Sequence, residues 1–264
     1  MASAVVRSGC SSWTSDAWWG KVYPRGLPDG ERLARYSLLY DTVEVDSSYY
    51  RDPGPYLTRR WASVTPEGFV FTLKFPRDLM DPRAPPGEEG IPTFLRNARN
   101  LGEKLGPILL QFPPWFKPGP KSWPFLLDLL GRLESPLQFA VELRDVHWFG
   151  GEDFERLMHA LRERHIALTW SYLTYVDVPP EITSEFVYLR FIGDHTTIPA
   201  DRHGSVQVDR TAELRLWAKR VEAALERVKA VYVFFNNHFQ GFAPESVNLF
   251  RKEMGQPPVE YLVR

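Results

Sequence analysis

The sequence predicts an α/β fold, a single (β/α)8 TIM barrel over residues 1–264, on three observations. Eight short stretches carry strand patterning and alternate mostly with helical patterns. In 139–148, FAVELRDVHW, Phe139, Val141 and Leu143 alternate with Ala140, Glu142 and Arg144. A face that turns charged only towards its C-terminal end suits the inside of a closed barrel, where that end reaches the mouth. Finally, no GxGxxG or GxxxxGK[ST] follows any strand, which argues against the open nucleotide-binding sheets.

Taken in order, residues 5–11 (VVRSGCS) form the first expected strand, followed by an aromatic loop, WTSDAWWGKVYPRGLP. A helix is expected from Asp29 or Gly30 to Tyr40, with Leu33, Tyr36 and Leu39 on one side. Residues 42–47 (TVEVDS) read as the second strand, Val43 and Val45 opposing Glu44 and Asp46. After a Pro-Gly-Pro turn and a helix near 57–63, residues 69–75 (FVFTLKF) form the third. The Pro-, Gly- and charge-rich 76–92 is a surface loop. A helix over 93–105 is ended by Gly106-Pro107. Residues 108–112 (ILLQF) are the fourth strand, and a rigid loop, PPWFKPGPKSWP, leads to a helix over 124–133. Residues 139–148 supply the fifth strand, then a helix to about Arg164, then 166–172 (IALTWSY) as the sixth. Residues 173–185 contain Pro179-Pro180 and have no room for a full helix, so the helix between strands six and seven is expected to be missing or reduced. The seventh strand is 186–192 (FVYLRFI); an amphipathic helix over 211–228 precedes the eighth, 230–235 (AVYVFF), which ends in Asn236-Asn237-His238. A last helix covers 244–254.

Composition narrows the partners. The net charge is −1, so no global field favours nucleic acid. No run approaches the ~20 apolar residues of a membrane span, and a membrane partner is not expected. One cysteine, Cys10, excludes an internal disulfide framework, fits a reducing cytoplasm, and reads as a small core residue. No motif assigns a cofactor.

If the apolar alternating positions face the helices, polar strand ends converge on one mouth. They are Glu44, Asp46, Lys74, Gln111, Glu142, Arg144, Arg190, and one of Asn236 and Asn237. Lys74, Arg144 and Arg190 together form an anion site, Arg by bidentate bonding and Lys as a point charge. Glu44, Asp46 and Glu142 are the acid–base candidates. A charged layer inside a barrel can also exist only to neutralise itself. Trp13 and Trp148, close to strand ends, are the aromatic ligand candidates among many loop aromatics. His195, His203 and His238 follow the last strands and could meet Asp194, but no ligand spacing supports a metal, and none is assigned.

The strand-end motifs resemble those of domain-of-unknown-function family 72, the YecE-like proteins. The resemblance is carried in order by GCSSWTSDAWWGKVYP, YDTVEVDSSYYRDP, FVFTLKFPRDL, LGPILLQFPPWF, FAVELRDVHWF, FVYLRF and VYVFFNNHFQGFAPESV. It implies a TIM barrel and no established activity, and its strand-end positions fall on Trp13, Glu44, Lys74, Gln111, Glu142, Arg144, Arg190, Asn236 and Asn237. This chain departs from that pattern. It has Asp46 where the family often has asparagine, no Thr-His pair after Lys74, and Phe191-Ile192-Gly193-Asp194 where His-Gly usually follows the arginine.

Three readings of the mouth follow. One is a site for a phosphate-bearing ligand, a nucleotide or nucleic acid, with or without hydrolysis. Another is a glycoside hydrolase-like site using Glu142 with Glu44 or Asp46. The third is a non-catalytic module binding a small molecule or a protein.

Overall fold

Side chains alternating at a period of two put one face of each strand inward and the other against helices. The computed structural model describes residues 4–193 and 196–261. Its strands are β1 (Val5–Cys10), β2 (Thr42–Val45), β3 (Val70–Lys74), β4 (Leu105–Gln111), β5 (Phe139–Glu142), β6 (Ala167–Leu173), β7 (Val176–Asp177), β8 (Phe186–Gly193) and β9 (Ala230–Phe235). The pairing order is β1-β9-β8-β6-β5-β4-β3-β2, parallel throughout, with β7 antiparallel to β6. This is the expected α/β barrel of eight parallel strands, nearly closed. Around it lie α1 (Arg32–Tyr36), α2 (Gly54–Val64), α3 (Gly90–Ala98), α4 (Ser122–Gly131), α5 (Gly151–Glu163), α6 (Thr211–Ala224), α7 (Asn237–Gln240) and α8 (Ala243–Glu253). Among the described residues no helix is long and apolar enough to cross a membrane.

β1 and β2 stand at the two ends of the pairing path, and a side chain joins them. The Tyr36 hydroxyl accepts from the Cys10 amide at 2.8 Å and donates to the Thr42 carbonyl at 3.1 Å. Gly9 permits the close approach, because a Cβ there would lie 2.2 Å from the Thr42 oxygen. Cys10 is fully buried, and burial pushes its thiol far up, which makes it an inert core group.

Several boundaries move from where the sequence places them. The fifth strand stops at Glu142 rather than running to 148. Asp145 accepts a bond from the His147 amide at 3.0 Å and turns Val146–Phe149 into a short 3-10 helix. The second strand stops at Val45, where Asp46–Tyr49 coils into a 3-10 turn. The helix expected over 93–105 ends at Ala98, and β4 begins at Leu105 instead of 108. Between β6 and β8 the missing helix is replaced by β7, which folds back so that Tyr172 faces Asp177.

The interior is graded. Its lower part is apolar, with Val70, Leu109, Ala140, Ala167, Phe186, Tyr188, Tyr232 and Phe234 packed together. Two residues further along β4, β5 and β8, and four further along β3, the inward positions become Gln111, Glu142, Arg190 and Lys74. The barrel therefore concentrates its charge at the C-terminal ends of the strands.

Candidate functional site

Arg190, only 1% exposed, is the hub of the charged layer. Its Nε donates to Glu44 Oε2 at 2.8 Å and its Nη2 to Glu44 Oε1 at 2.7 Å, a bidentate fork. Its Nη1 donates to Glu142 Oε2 at 2.6 Å and to Gln111 Oε1 at 3.1 Å. Register explains the convergence: Ser171 of β6 stands beside Arg190, and Gln111 of β4 beside Glu142. Ser171 donates to Glu142 Oε2 at 3.1 Å, and Arg144 Nε holds Glu142 Oε1. From below, the Tyr188 hydroxyl donates to Glu44 Oε2 at 2.7 Å and meets Thr72 Oγ1 at 2.9 Å.

Both glutamates are fully buried. Burial alone would push Glu44 up, but Arg190 and then Lys74 outweigh it and hold its carboxyl below the usual range. Glu142 follows the same logic: burial is outweighed by Arg144 and Arg190, and its carboxyl is held far below that range. Burial disfavours the Arg190 charge, yet Glu142 and Glu44 raise its pKa well above the ordinary arginine value. The cluster is thus a locked, ionised Glu44–Arg190–Glu142 triad.

Asp46 and Lys74 differ. Asp46 leaves β2 at its end, and a third of its side chain, 32%, is exposed. Its Oδ1 lies 2.6 Å from Lys74 Nζ and 4.0 Å from Arg190 Nη2. Lys74 Nζ also donates to Gln111 Oε1 at 3.0 Å and sits 5.6 Å from the centre of the Tyr49 ring. Burial raises the Asp46 pKa, Lys74 opposes it, and the charge on Glu44 raises it again; the net direction is up. Arg144, with a side chain 14% exposed, completes this rim beside Tyr175.

The other predicted residues fall elsewhere. Trp148 is the correction: it is fully buried, stacked on Phe116 at 5.5 Å, and its indole N–H donates to the Phe116 carbonyl at 2.6 Å. The early turn at Asp145 folds it into the core, leaving no face for a ligand. Asn237 is a loop staple, accepting from Trp18 Nε1 at 3.3 Å and the Ala243 amide at 2.9 Å and donating to Ser15 Oγ at 3.1 Å. Asn236 caps α7 by accepting from the His238 amide at 3.0 Å. Trp13 is half-buried, edge-on to Trp61 of α2 at 5.6 Å. The His203 and His238 rings stand 4.6 Å apart. Asp194 and His195 lie outside the described residues, and among those described no three His, Cys, Asp or Glu cluster as a metal site would need.

Sequence reasoning missed Tyr188, Ser171 and Thr72 as members of the charged layer. Alternation places all three inward, so their face was readable. Their hydroxyls reach the carboxylates because interior side chains of neighbouring strands meet at the same height.

The family model described as "Protein of unknown function DUF72" matches residues 7–262. The UPF0759 protein YecE of Escherichia coli K12 is 28% identical over 164 residues, 61% of this chain. The chain spans 57% of that relative's length. The UPF0759 protein YunF of Bacillus subtilis is 22% identical over 263 residues, 86% of this chain and 89% of its own. A crystal structure of a DUF72 family protein from Thermotoga maritima superposes with a TM-score of 0.80 at 27% identity, covering 96% of this chain and 100% of that one. One from Enterococcus faecalis, at 23% identity and a TM-score of 0.78 over 95% of this chain and 96% of its own, shares the fold.

Proposed function

This chain belongs to the DUF72 family, and from that premise we propose that its strand-end mouth binds a small phosphate-bearing ligand, with Asp46 as the group that exchanges a proton. The observation that carries this reading is the Asp46–Lys74 pair: a partly exposed carboxyl held above its ordinary pKa, 2.6 Å from an ammonium. The three bases Lys74, Arg144 and Arg190 face two glutamates that stay ionised. Asp46 is the swing charge. When it is protonated, the mouth carries one more positive charge than negative, and an anion fills the deficit.

Arg190 contributes field more than bonds, because four of its five N–H donors are already committed to Glu44, Glu142 and Gln111. Lys74 and Arg144 are the contacts left for phosphate oxygens. If the ligand is hydrolysed, Asp46 is the acid–base candidate, since catalytic groups of this kind carry raised pKa values near a counter-charge. A two-carboxylate glycosidase needs one raised acid and one accessible base or nucleophile. Glu44 and Glu142 meet neither need, being buried on one guanidinium.

The reading is tested by titrating inorganic phosphate and sulfate into the protein by calorimetry. Lys74→Met weakens binding roughly tenfold or more, the equivalent of one charge-assisted hydrogen bond, with the fold kept. Absence of phosphate binding, or binding that Lys74→Met leaves unchanged, overturns it.

A further inference from the structure

A second feature of the strand ends lies across Asp46 from Lys74. A cavity of about 200 Å³ opens between the ends of β1, β2 and β9. Its polar wall includes Ser11, Ser12, Asp46, Asn236 and His203, and its lining also includes Trp18 and Phe235. Three polar atoms of residues on that wall are buried and, among the described residues, have no hydrogen-bond partner: Ser11 Oγ, His203 Nε2 and Asp46 Oδ1, of which Asp46 Oδ1 is ion-paired with Lys74 and the other two have nothing. Ser11 is only 3% exposed, so a ligand is the natural source of its missing bond. Two such groups on residues lining one cavity call for an occupant, since a buried polar atom without a partner costs about 1–3 kcal/mol.

The chemistry of the wall narrows the occupant. Among the described residues no Lys or Arg lines the cavity, so it is not the seat of a charge-dense group. A carboxyl group, hydroxyls, two carboxamides and two imidazoles offer both acceptors and donors, which suits neighbouring hydroxyls on a saturated carbon frame. Trp18 and Phe235 add apolar lining for the C–H face of such a ring. The cavity is smaller than the roughly 300–1,000 Å³ of sites for drug-sized ligands, and has room for about six waters at about 30 Å³ each. One sugar ring fills that space; a sugar joined to a nucleobase exceeds it.

Asp46 lines this cavity and also meets Lys74. We infer that the ligand is a sugar phosphate, its ring hydroxyls held by Ser11, His203 and Asp46 while its phosphate lies on Lys74 and Arg144. This inference rests on the phosphate-binding reading above and adds the sugar half. Asp46 then stands between the two parts of one ligand, its protonated carboxyl meeting a ring hydroxyl on one side while Lys74 on the other is left to the phosphate.

Calorimetry with inorganic phosphate, ribose 5-phosphate and ribose separates the two levels. Ribose 5-phosphate is expected to bind at least about tenfold tighter than inorganic phosphate. Ser11→Val fills the cavity and His203→Gln changes its donor set; each removes that margin and leaves phosphate affinity unchanged. The second variant stands in if the first disturbs the end of β1. If ribose 5-phosphate binds no tighter than phosphate, or the margin survives both substitutions, the cavity assignment falls and the phosphate site stands. If neither phosphate nor ribose 5-phosphate binds, the phosphate reading falls and this inference with it.

Discussion

Arg190 and Lys74 carry the same charge on inward positions of the same barrel, and each lies beside a carboxylate, yet they do different work. Arg190 is 1% exposed and both of its glutamate partners are fully buried. Lys74 is itself buried, but its partner Asp46 is 32% exposed. The Arg190 cluster is closed: a guanidinium fork, two carboxylates, an amide, a serine and a tyrosine satisfy one another. The Lys74 pair is open on the solvent side and holds a carboxyl that resists ionisation. The contrast shows that charge at a barrel mouth is not by itself a site. What separates scaffold from site is whether a charged group retains an exposed partner that a ligand can replace.

The largest test of that contrast removes the hub. Arg190→Met leaves Glu44 and Glu142 buried without their shared cation, and stability falls by about 3–5 kcal/mol in denaturant unfolding. A loss below about 1 kcal/mol, the range of an exposed ion pair, would erase the distinction. Glu142→Gln follows, with a loss of about 1.5–3 kcal/mol at neutral pH for weakened charge-assisted bonds. Its pH dependence has a defined sign. Glu142 is held below its unfolded pKa, so its contribution is present above the unfolded value and is lost as pH falls towards the folded one. The gap between variant and wild type therefore narrows in acid, which parallel melts across pH would read.

Tyr188→Phe is smaller, about 1.5 kcal/mol for one hydroxyl donated to a charged acceptor. It leaves phosphate binding alone; weakened binding would tie the buried cluster to the site. Asp46→Asn is the smallest in stability, within about 1 kcal/mol. Its pH sign is opposite to that of Glu142. Asp46 is held above its unfolded pKa, so its contribution is present below the unfolded value and lost as pH rises through the folded one. Sulfate does not titrate in this range, so its affinity in wild type rises as pH falls and becomes flat in Asp46→Asn. A wild-type affinity independent of pH would deny Asp46 its role as the swing charge.

Much of this was legible from alternation. FVYLRF puts Phe186, Tyr188 and Arg190 on one face, and FAVE puts Ala140 and Glu142 on another; the barrel brings these faces together. Alternation names a face but not a partner. It therefore pooled Lys74, Arg144 and Arg190 as one anion site, although Arg190 is already paired with carboxylates from β2 and β5. Residues beyond the strand ends were less legible, because short side-chain-to-backbone bonds set their course. Asp145 bends the chain and sends Trp148 into the core, and Asn237 ties three loop segments together. The cavity around Ser11 was hidden for the same reason, since His203 reaches it from a loop remote in sequence.

In the proposed site Asp46, and neither Glu44 nor Glu142, is the carboxyl that responds to a ligand. Carboxyl-carbon NMR titration with and without inorganic phosphate tests it most directly. Asp46 is expected to titrate above the ordinary aspartate value and to shift higher when phosphate binds, while Glu44 and Glu142 stay ionised and unmoved. A phosphate-induced shift in Glu44 or Glu142 with Asp46 unmoved would contradict it.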